Sequence, residues 1–381
     1  MNSLVSSQGG VIAVITAIVA IAFLLQKVEK LQVFGATLPA ILIGMLVSNI
    51  GIMPHWHDFY GVVFEYAVPI SLTMMLLNVN IKDWVRLSKQ PLLAMFFAIL
   101  SVSIVTVVTG MFFVPKIAEG SKIAGMFVGT YTGGSANLTA IGIGLNASAE
   151  AFAQANAADY VIGLPLLIFL MFVPAFMKKS KKFNEFWPHT LTDKELEGES
   201  GEEVFGKKEW AILDVALLFA VAFGIIQLAT VISSGASSLK IILITTIALS
   251  AAQFKAVREI KGNVDLGYFI AMIFFVVMGM YINISDFLQG APVIILYCAA
   301  ILLGTLLLHV ILCKIFKIKY QYVFISIVAA IGNGVMAASM AGSAKWNSIM
   351  STAIVLGAIG AALGNYIGIA VGLFLQSITG V

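Results

Sequence analysis

Val128-Gly129-Thr130-Tyr131-Thr132-Gly133-Gly134-Ser135-Ala136-Asn137-Leu138-Thr139 interrupts an apolar stretch that runs from 121 to 146. Adjacent glycines disfavour helix, so this segment predicts a break that frees backbone N–H and C=O groups. The flanks are apolar on both sides, which puts the break at membrane depth. Freed backbone groups are tolerated there only when they are buried in protein or line a wet cavity. Glycine and serine also let helices pack closely, but close packing leaves Thr130, Thr132, Ser135, Asn137 and Thr139 together unexplained. A second stretch, 321–343, contains Ala330-Ile331-Gly332-Asn333-Gly334-Val335-Met336 and repeats the pattern with less polar detail.

Around these two breaks the chain is a membrane sequence. Of its 381 residues 60% are apolar and 11% charged, with a mean hydropathy of +1.01, which cannot keep the surface of a soluble protein of this size wet. A spanning helix needs about 20 mostly apolar residues. Runs of that kind occur at 9–25, 33–50, 60–78, 91–113, 158–177, 210–230, 238–254, 265–283, 290–312 and 351–377. They are continuous and not alternating, which excludes a transmembrane β-barrel. The first run lacks a basic region before it and a small-residue cleavage site after it, and it reads as a retained helix, not a signal peptide. Cys298 and Cys313 lie in or beside one apolar run and read as buried or interfacial thiols.

Charge placement orients the bundle. Lysine and arginine favour cytoplasmic loops. That assigns to the cytoplasm Lys27 and Lys30; Lys82, Arg86 and Lys89; Lys178, Lys179, Lys181 and Lys182; Lys207 and Lys208; Lys255, Arg258 and Lys261; and Lys314, Lys317 and Lys319. Residues 1–10, 51–60, 284–290 and the last five carry neither residue, so both termini are expected outside. Walking the chain with these constraints closes only if 121–146 and 321–343 are not simple crossings. Each is therefore expected to be a re-entrant hairpin or a helix broken at mid-membrane. Lys116 and Lys122 fall outside in this scheme, a mild exception. The hydrophilic stretch 179–209, with Asp193, Glu195, Glu197, Glu199, Glu202 and Glu203, reads as a solvated cytoplasmic linker.

The two sides of that linker echo each other. Asn80-Ile81-Lys82-Asp83-Trp84 matches Asn283-Ile284-Ser285-Asp286-Phe287 at an offset of 283 − 80 = 203, the glycine breaks recur near 200, and Tyr160–Gly163 matches Ile354–Gly357 at 194. Charge puts the first Asn-Ile-x-Asp turn inside and the second outside, so the halves are related by an axis in the membrane plane. Inverted repeats with discontinuous helices are a signature of secondary transporters. The expected fold is an all-α polytopic membrane protein of two inverted repeats, each of about five transmembrane helices.

Candidate site residues cluster at the breaks. Freed carbonyls with Thr and Ser oxygens suit a hard cation, and helix N-termini attract anionic groups. Asp159 follows the first break on an Ala-rich helix that starts near Ser148 and spans about 45 Å at 1.5 Å per residue. An intramembrane carboxylate is costly and usually functional, and Asn156 lies three residues earlier on the same face. The site set is Thr130, Thr132, Gly133, Gly134, Ser135, Asn137, Asn156, Asp159, Gly332, Asn333 and Gly334. Gly360, Gly364, Gly368 and Gly372 recur every four residues and read as a packing ridge. Glu65 reads as an outer-face residue and His309 as interfacial. His55, Trp56, His57 and Asp58 form an aromatic-belt loop. A channel would want rings of like residues, and an enzyme a recognisable nucleophile or metal set; neither is visible, so the chain is read as not an enzyme and without a cofactor.

From Gly129 to Asn137, at Asp159-Tyr160 and at the second glycine break, the sequence resembles the YjcL-type bacterial membrane proteins over most of its length. That family is similar to the cation–proton antiporter and anion transporter superfamily, which includes sodium–glutamate symporters, bile-acid sodium symporters and 2-hydroxycarboxylate transporters. The resemblance implies a scaffold (9–50 and 210–254) and a mobile core (60–177 and 265–377) that moves as an elevator, in repeats 1–178 and 210–381 joined by 179–209. Gly133-Gly134 matches the hairpin-tip signature of the glutamate and citrate relatives, whereas Gly332-Asn333-Gly334 is a looser match. Antiporters carry an Asp after the first break, as at Asp159, but Ala158 stands where they often carry a second polar residue. The function expected is sodium-coupled symport of a small polar solute, an amino acid or organic anion, across the bacterial inner membrane; the alternative is cation–proton antiport at Asp159. The partners expected are the solute and the lipid bilayer, with no nucleic acid, and a homodimer is implied by the resemblance alone.

Overall fold

The structure, a computed structural model, describes residues 3–28, 36–177, 180–196 and 209–380. Among them are fifteen helices used below. In the first half they are α1 (Gln8–Leu25), α2 (Thr37–Asn49), α3 (Asp58–Leu76), α4 (Lys89–Phe113), α5 (Gly120–Gly133), α6 (Ser135–Gly144), α7 (Ala149–Ala158) and α8 (Leu164–Met177). In the second they are α9 (Ile212–Ser233), α10 (Ser237–Ala251), α11 (Asn263–Tyr281), α12 (Ile284–Ile315), α13 (Tyr320–Ile331), α14 (Gly334–Ser343) and α15 (Met350–Thr379). No strand occurs among the described residues. Lys30, Lys178, Lys179, Lys207, Lys208, Glu197, Glu199, Glu202 and Glu203 lie outside the described residues.

Among the described residues, eight helices are long and apolar enough to cross a membrane. The runs at 33–50 and 238–254 give the shorter helices α2 and α10, of 13 and 15 residues. At 1.5 Å per residue these reach only about 20–22 Å, short of the roughly 30 Å hydrocarbon core. The protein is thus a multi-pass membrane protein.

The chain divides into two compact units, and each draws on both halves of the sequence. Unit 1 comprises Met1–Asn78, Gly142–Tyr160 and Trp210–Ile295. At its centre the third helix of each half packs on the other, α3 on α11. Each also packs on the first two helices of the opposite half, α3 on α9 and α10, and α11 on α1 and α2. Small residues permit this. A Cβ on Gly44 would fall on the Val276 carbonyl, and one on Gly279 on the Ile41 carbonyl, so α2 and α11 meet backbone to backbone. Asn49 fastens the end of α11: its amide nitrogen donates to the Ile282 carbonyl at 2.8 Å and its oxygen accepts from the Ile284 N–H at 3.2 Å. Trp56 packs edge-on against Tyr60 and Tyr281, at 6.5 and 6.0 Å between ring centres, and His57 caps α3 by accepting from the Phe59 N–H.

Unit 2 comprises Val79–Ile141, Val161–Glu209 and Leu296–Val381. Its two interrupted stretches, α5–α6 and α13–α14, are both hairpins. In a straight helix Gly129 and Ile141 would be about 18 Å apart at 1.5 Å per residue, yet the Ile141 side chain covers the α face of Gly129. In the second stretch, Glu195 touches residues on both legs. Its carboxylate accepts from Lys319, which precedes α13, at 2.8 Å, and its carbonyl accepts from Ser348, which follows α14, at 2.6 Å. Each stretch therefore folds back on itself, the hairpin of the two expected alternatives. The helix exchange seen in unit 1 recurs here: the α5 arm packs on α15, and α13 and α14 pack on α8.

Two expectations are corrected by burial. His309 is fully buried, not interfacial, because α13 packs over it; its Nε2 lies 3.3 Å from the Val323 carbonyl and 3.3 Å from Ser326 Oγ. The linker is not simply solvated, because residues 183–196 form a strap on unit 2. Trp187, Leu191 and Leu196 are buried, Trp187 Nε1 donates to the Ile318 carbonyl at 2.9 Å, and the Tyr320 N–H donates to the His189 carbonyl at 3.0 Å. The exception at 114–122 is softened locally: Lys122 pairs with Glu119 at 2.7 Å and Lys116 lies over the Phe112 ring.

Candidate functional site at the crossed hairpin tips

The two glycine breaks meet within unit 2. α5 ends at Gly133, Gly134 takes φ 89° and ψ 177°, and α6 begins at Ser135. A residue with a side chain strains at that φ. Space forbids one as well, since a Cβ on Gly134 would fall on the carbonyl oxygen of Gly332. In the second break α13 ends at Ile331, Gly332 and Asn333 are non-helical, and α14 begins at Gly334 with Asn333 as its cap, accepting from the Met336 N–H at 2.9 Å. Two helix C-termini and two N-termini thus converge, with carbonyls unsatisfied at the former and amides at the latter.

The last helix forms the floor. A Cβ on Gly133 would meet the Gly360 carbonyl carbon and the Ala361 N–H nitrogen at 2.5 Å, one on Gly360 would fall on the Thr132 carbonyl, and one on Gly357 on the Gly334 backbone. The ridge Gly360, Gly364 and Gly368 therefore lets α15 lie directly against α5 and the α6 arm, and Gly357 extends it to α14. Asn137 spans the gap by donating from Nδ2 to the Gly360 carbonyl at 3.4 Å.

Several oxygens at this crossing are buried and unbonded. Thr130, Thr132 and Asn137 are each at most 1% exposed, and Thr130 Oγ1, Thr132 Oγ1 and Asn137 Oδ1 have no hydrogen-bond partner. Each such group costs about 1–3 kcal/mol and calls for an explanation. Thr139, by contrast, bonds back to the Ser135 carbonyl at 3.2 Å and is satisfied inside α6. Ser135 is half-buried and Asn333 exposed at the tips.

Nine of the eleven predicted site residues, Thr130, Thr132, Gly133, Gly134, Ser135, Asn137, Gly332, Asn333 and Gly334, belong to unit 2. Asn156 and Asp159 belong to unit 1. Ser148 caps their helix, Asn156 donates to the Phe152 carbonyl at 2.9 Å, and Asp159 opens a π-helical turn, Asp159–Gly163. Such turns break the regular ladder and are frequent at functional sites. Glu65 is exposed on α3.

Sequence reading missed several members of unit 2. Tyr131 OH lies 2.9 Å from Cys298 Sγ and holds α5 to α12. Asn365 is a fully buried amide on α15 beside Gly364, which itself abuts Asn137. A lone Asn in a 30-residue apolar helix was the available signal. Ser101, Thr106 and Thr305 are further buried hydroxyls without a partner.

Residues 10–378 match the model of a family described as protein of unknown function (DUF819). The chain belongs to the DUF819 family. It is also similar to the uncharacterized membrane protein YjcL of Bacillus subtilis (strain 168), 25% identical over 398 residues that cover 99% of this chain and 100% of that protein. The resemblance drawn from the glycine breaks is to the same proteins, and this DUF819 chain carries it across its full described membrane region.

Proposed function

We propose that this DUF819 protein is a secondary active transporter that couples entry of a small polar solute, an amino acid or organic anion, to sodium across the bacterial inner membrane. The observation that carries the reading is the meeting of the Gly134 and Gly332 tips over buried, unbonded oxygens in unit 2. Thr hydroxyls, an Asn oxygen and helix C-terminal carbonyls suit a hard cation, while the N-termini of α6 and α14 suit an anionic solute group. Exchange of equivalent helices between halves in both units supports the inverted-repeat reading. In that reading the mobile core, 60–177 and 265–377, carries the site as an elevator.

Thermal-shift measurements on purified protein test this against sodium, pH and a panel of amino acids and carboxylates. Stabilisation by a solute only when sodium is present is the expected result. A response to sodium that depends on pH, with none to any solute, favours the second reading, cation–proton antiport at Asp159. The π turn at Asp159 is the observation that keeps that reading in play. Asp159→Asn should then abolish exchange, and retained sodium-driven uptake in that variant would sink it.

A further inference from the structure

Within unit 2, α14 is packed against three neighbours and leaves one face open. Its first residue, Gly334, lies against the Ile354 backbone of α15, α13 packs along it, and Leu167 of α8 reaches the tip beside Gly332. Ala337, Ala338, Met340 and Ala341 are buried. Val335, Ser339 and Ser343 recur every four residues, which places them on one helix face. All three are exposed, as are Asn333 at the tip and Lys345 just past the base. The first hairpin has no such face, since no residue of α6 is exposed. Thr139 stands where Ser339 does, at the offset of the glycine breaks (339 − 139 = 200), and it is 3% exposed.

The hydroxyls on this face say what lies against it. A serine or threonine that faces lipid has one partner available, a carbonyl of the preceding turn. Thr16 on α1, Thr246 and Ser250 on α10 and Ser377 on α15 are exposed, and each donates to a carbonyl three or four residues earlier at 2.7–2.9 Å. Thr139 does the same inside the protein. Ser339 and Ser343 have such carbonyls behind them in α14, yet neither hydroxyl forms a hydrogen bond among the described residues. An exposed hydroxyl that leaves the backbone alone is satisfied by water and is costly in hydrocarbon. Lys345 sets the lower end of the face in the aqueous phase, because a charge is costlier still in lipid.

We propose that this face of α14 lines a water-filled approach running from the base of the second hairpin to its tip, with Ser339 and Ser343 as the hydroxyls that meet water or a small polar solute along it. The base is cytoplasmic by its charge, since Lys314, Lys317 and Lys319 precede α13. The two hairpins then differ in what they do. The first is enclosed by protein and holds the buried, unbonded oxygens of Thr130, Thr132 and Asn137; the second carries the way in. What travels along the face rests on the transporter reading, but the presence of water there does not.

The test applies a membrane-impermeant maleimide to inside-out vesicles carrying Val335→Cys, Ser339→Cys or Ser343→Cys, with the unsubstituted protein (Cys298 and Cys313 are buried) as blank. Leu303→Cys and Leu307→Cys are the lipid controls, because both leucines are exposed on the apolar helix α12. Maleimide reacts with the thiolate, which forms in water and is suppressed in apolar surroundings, so the three α14 thiols should label at least about tenfold faster than the controls. Thr139→Cys should stay at the control rate. Labelling of Ser339→Cys at the control rate, with full reaction of the same thiol after denaturation in SDS, overturns the approach. Fast labelling of Thr139→Cys as well would mean a loosened protein and not a built path, and overturns it too. A plug separates a path from a wet patch: Ser339→Trp should slow labelling of Asn333→Cys to the control rate, and Leu307→Trp should leave it unchanged. Unslowed labelling of the tip behind the plug overturns the path. Labelling needs neither solute nor sodium, so a wet face in a protein that moves no solute keeps the approach and rejects only the transport reading.

Discussion

Thr132 sits fully buried in the last turn of α5 with a hydroxyl that has no hydrogen-bond partner. Valine has nearly the same shape, so Thr132→Val removes an unsatisfied polar group that costs about 1–3 kcal/mol. The ligand-free protein should melt at the same or a higher temperature, while its apparent sodium affinity, read from sodium-dependent thermal shifts, should fall by about tenfold or more. A lower melting temperature with an unchanged sodium response would make Thr132 a packing residue. At this scale the residues of the candidate site that meet at the hairpin tips were legible, because hydroxyls and glycines stand out in an apolar run. His309 was not. Whether a histidine near a helix end is wet depends on which helix covers it, and α13 does so only in the folded chain.

At the scale of elements, α15 bears the site from below because it has no side chain where α5 comes closest. Gly360→Ala would place a methyl on the Thr132 carbonyl and within 2.8 Å of Met95 Cε, forcing α15 away from α5. Gly224 on α9 has nothing within 4 Å of its Cβ position, so Gly224→Ala keeps only the helix-propensity gain of about 1 kcal/mol. The expected pair of outcomes in detergent is a lowered melting temperature for Gly360→Ala, by several degrees, and none or a slight rise for Gly224→Ala. Equal behaviour of the two variants would dissociate the glycine ridge from packing. The four-residue spacing predicted a ridge, but its partner was not in the spacing. Likewise, charge counting set two apolar stretches apart from simple crossings, without choosing between a hairpin and a broken helix. The Gly129–Ile141 and Lys319–Glu195–Ser348 contacts chose the hairpin.

For the whole molecule, the charge-derived topology counts α2 and α10 as crossings and the two interrupted stretches as none, and so expects both chain ends on the face opposite residues 180–196. Alkaline phosphatase fused at the C-terminus should be active and green fluorescent protein at the same place dark, with the reverse for insertions between α8 and α9. Activity of both reporters on the same side would break the charge-derived topology.

Composition and local pattern determined the solvent, the helical class, the places where helix fails and the weak likeness of the two halves. All of these depend on residues near one another along the chain. Only tertiary structure decided that the third helices α3 and α11 pair in unit 1, that the Gly134 and Gly332 tips meet, and that an acidic linker lies bound along the second hairpin as a strap. Those contacts join residues more than 100 positions apart, and they rest on missing side chains and backbone carbonyls. The identity of a residue reports its own chemistry but not which distant backbone will approach it, so the two crossed tips were visible as two breaks and not as one site.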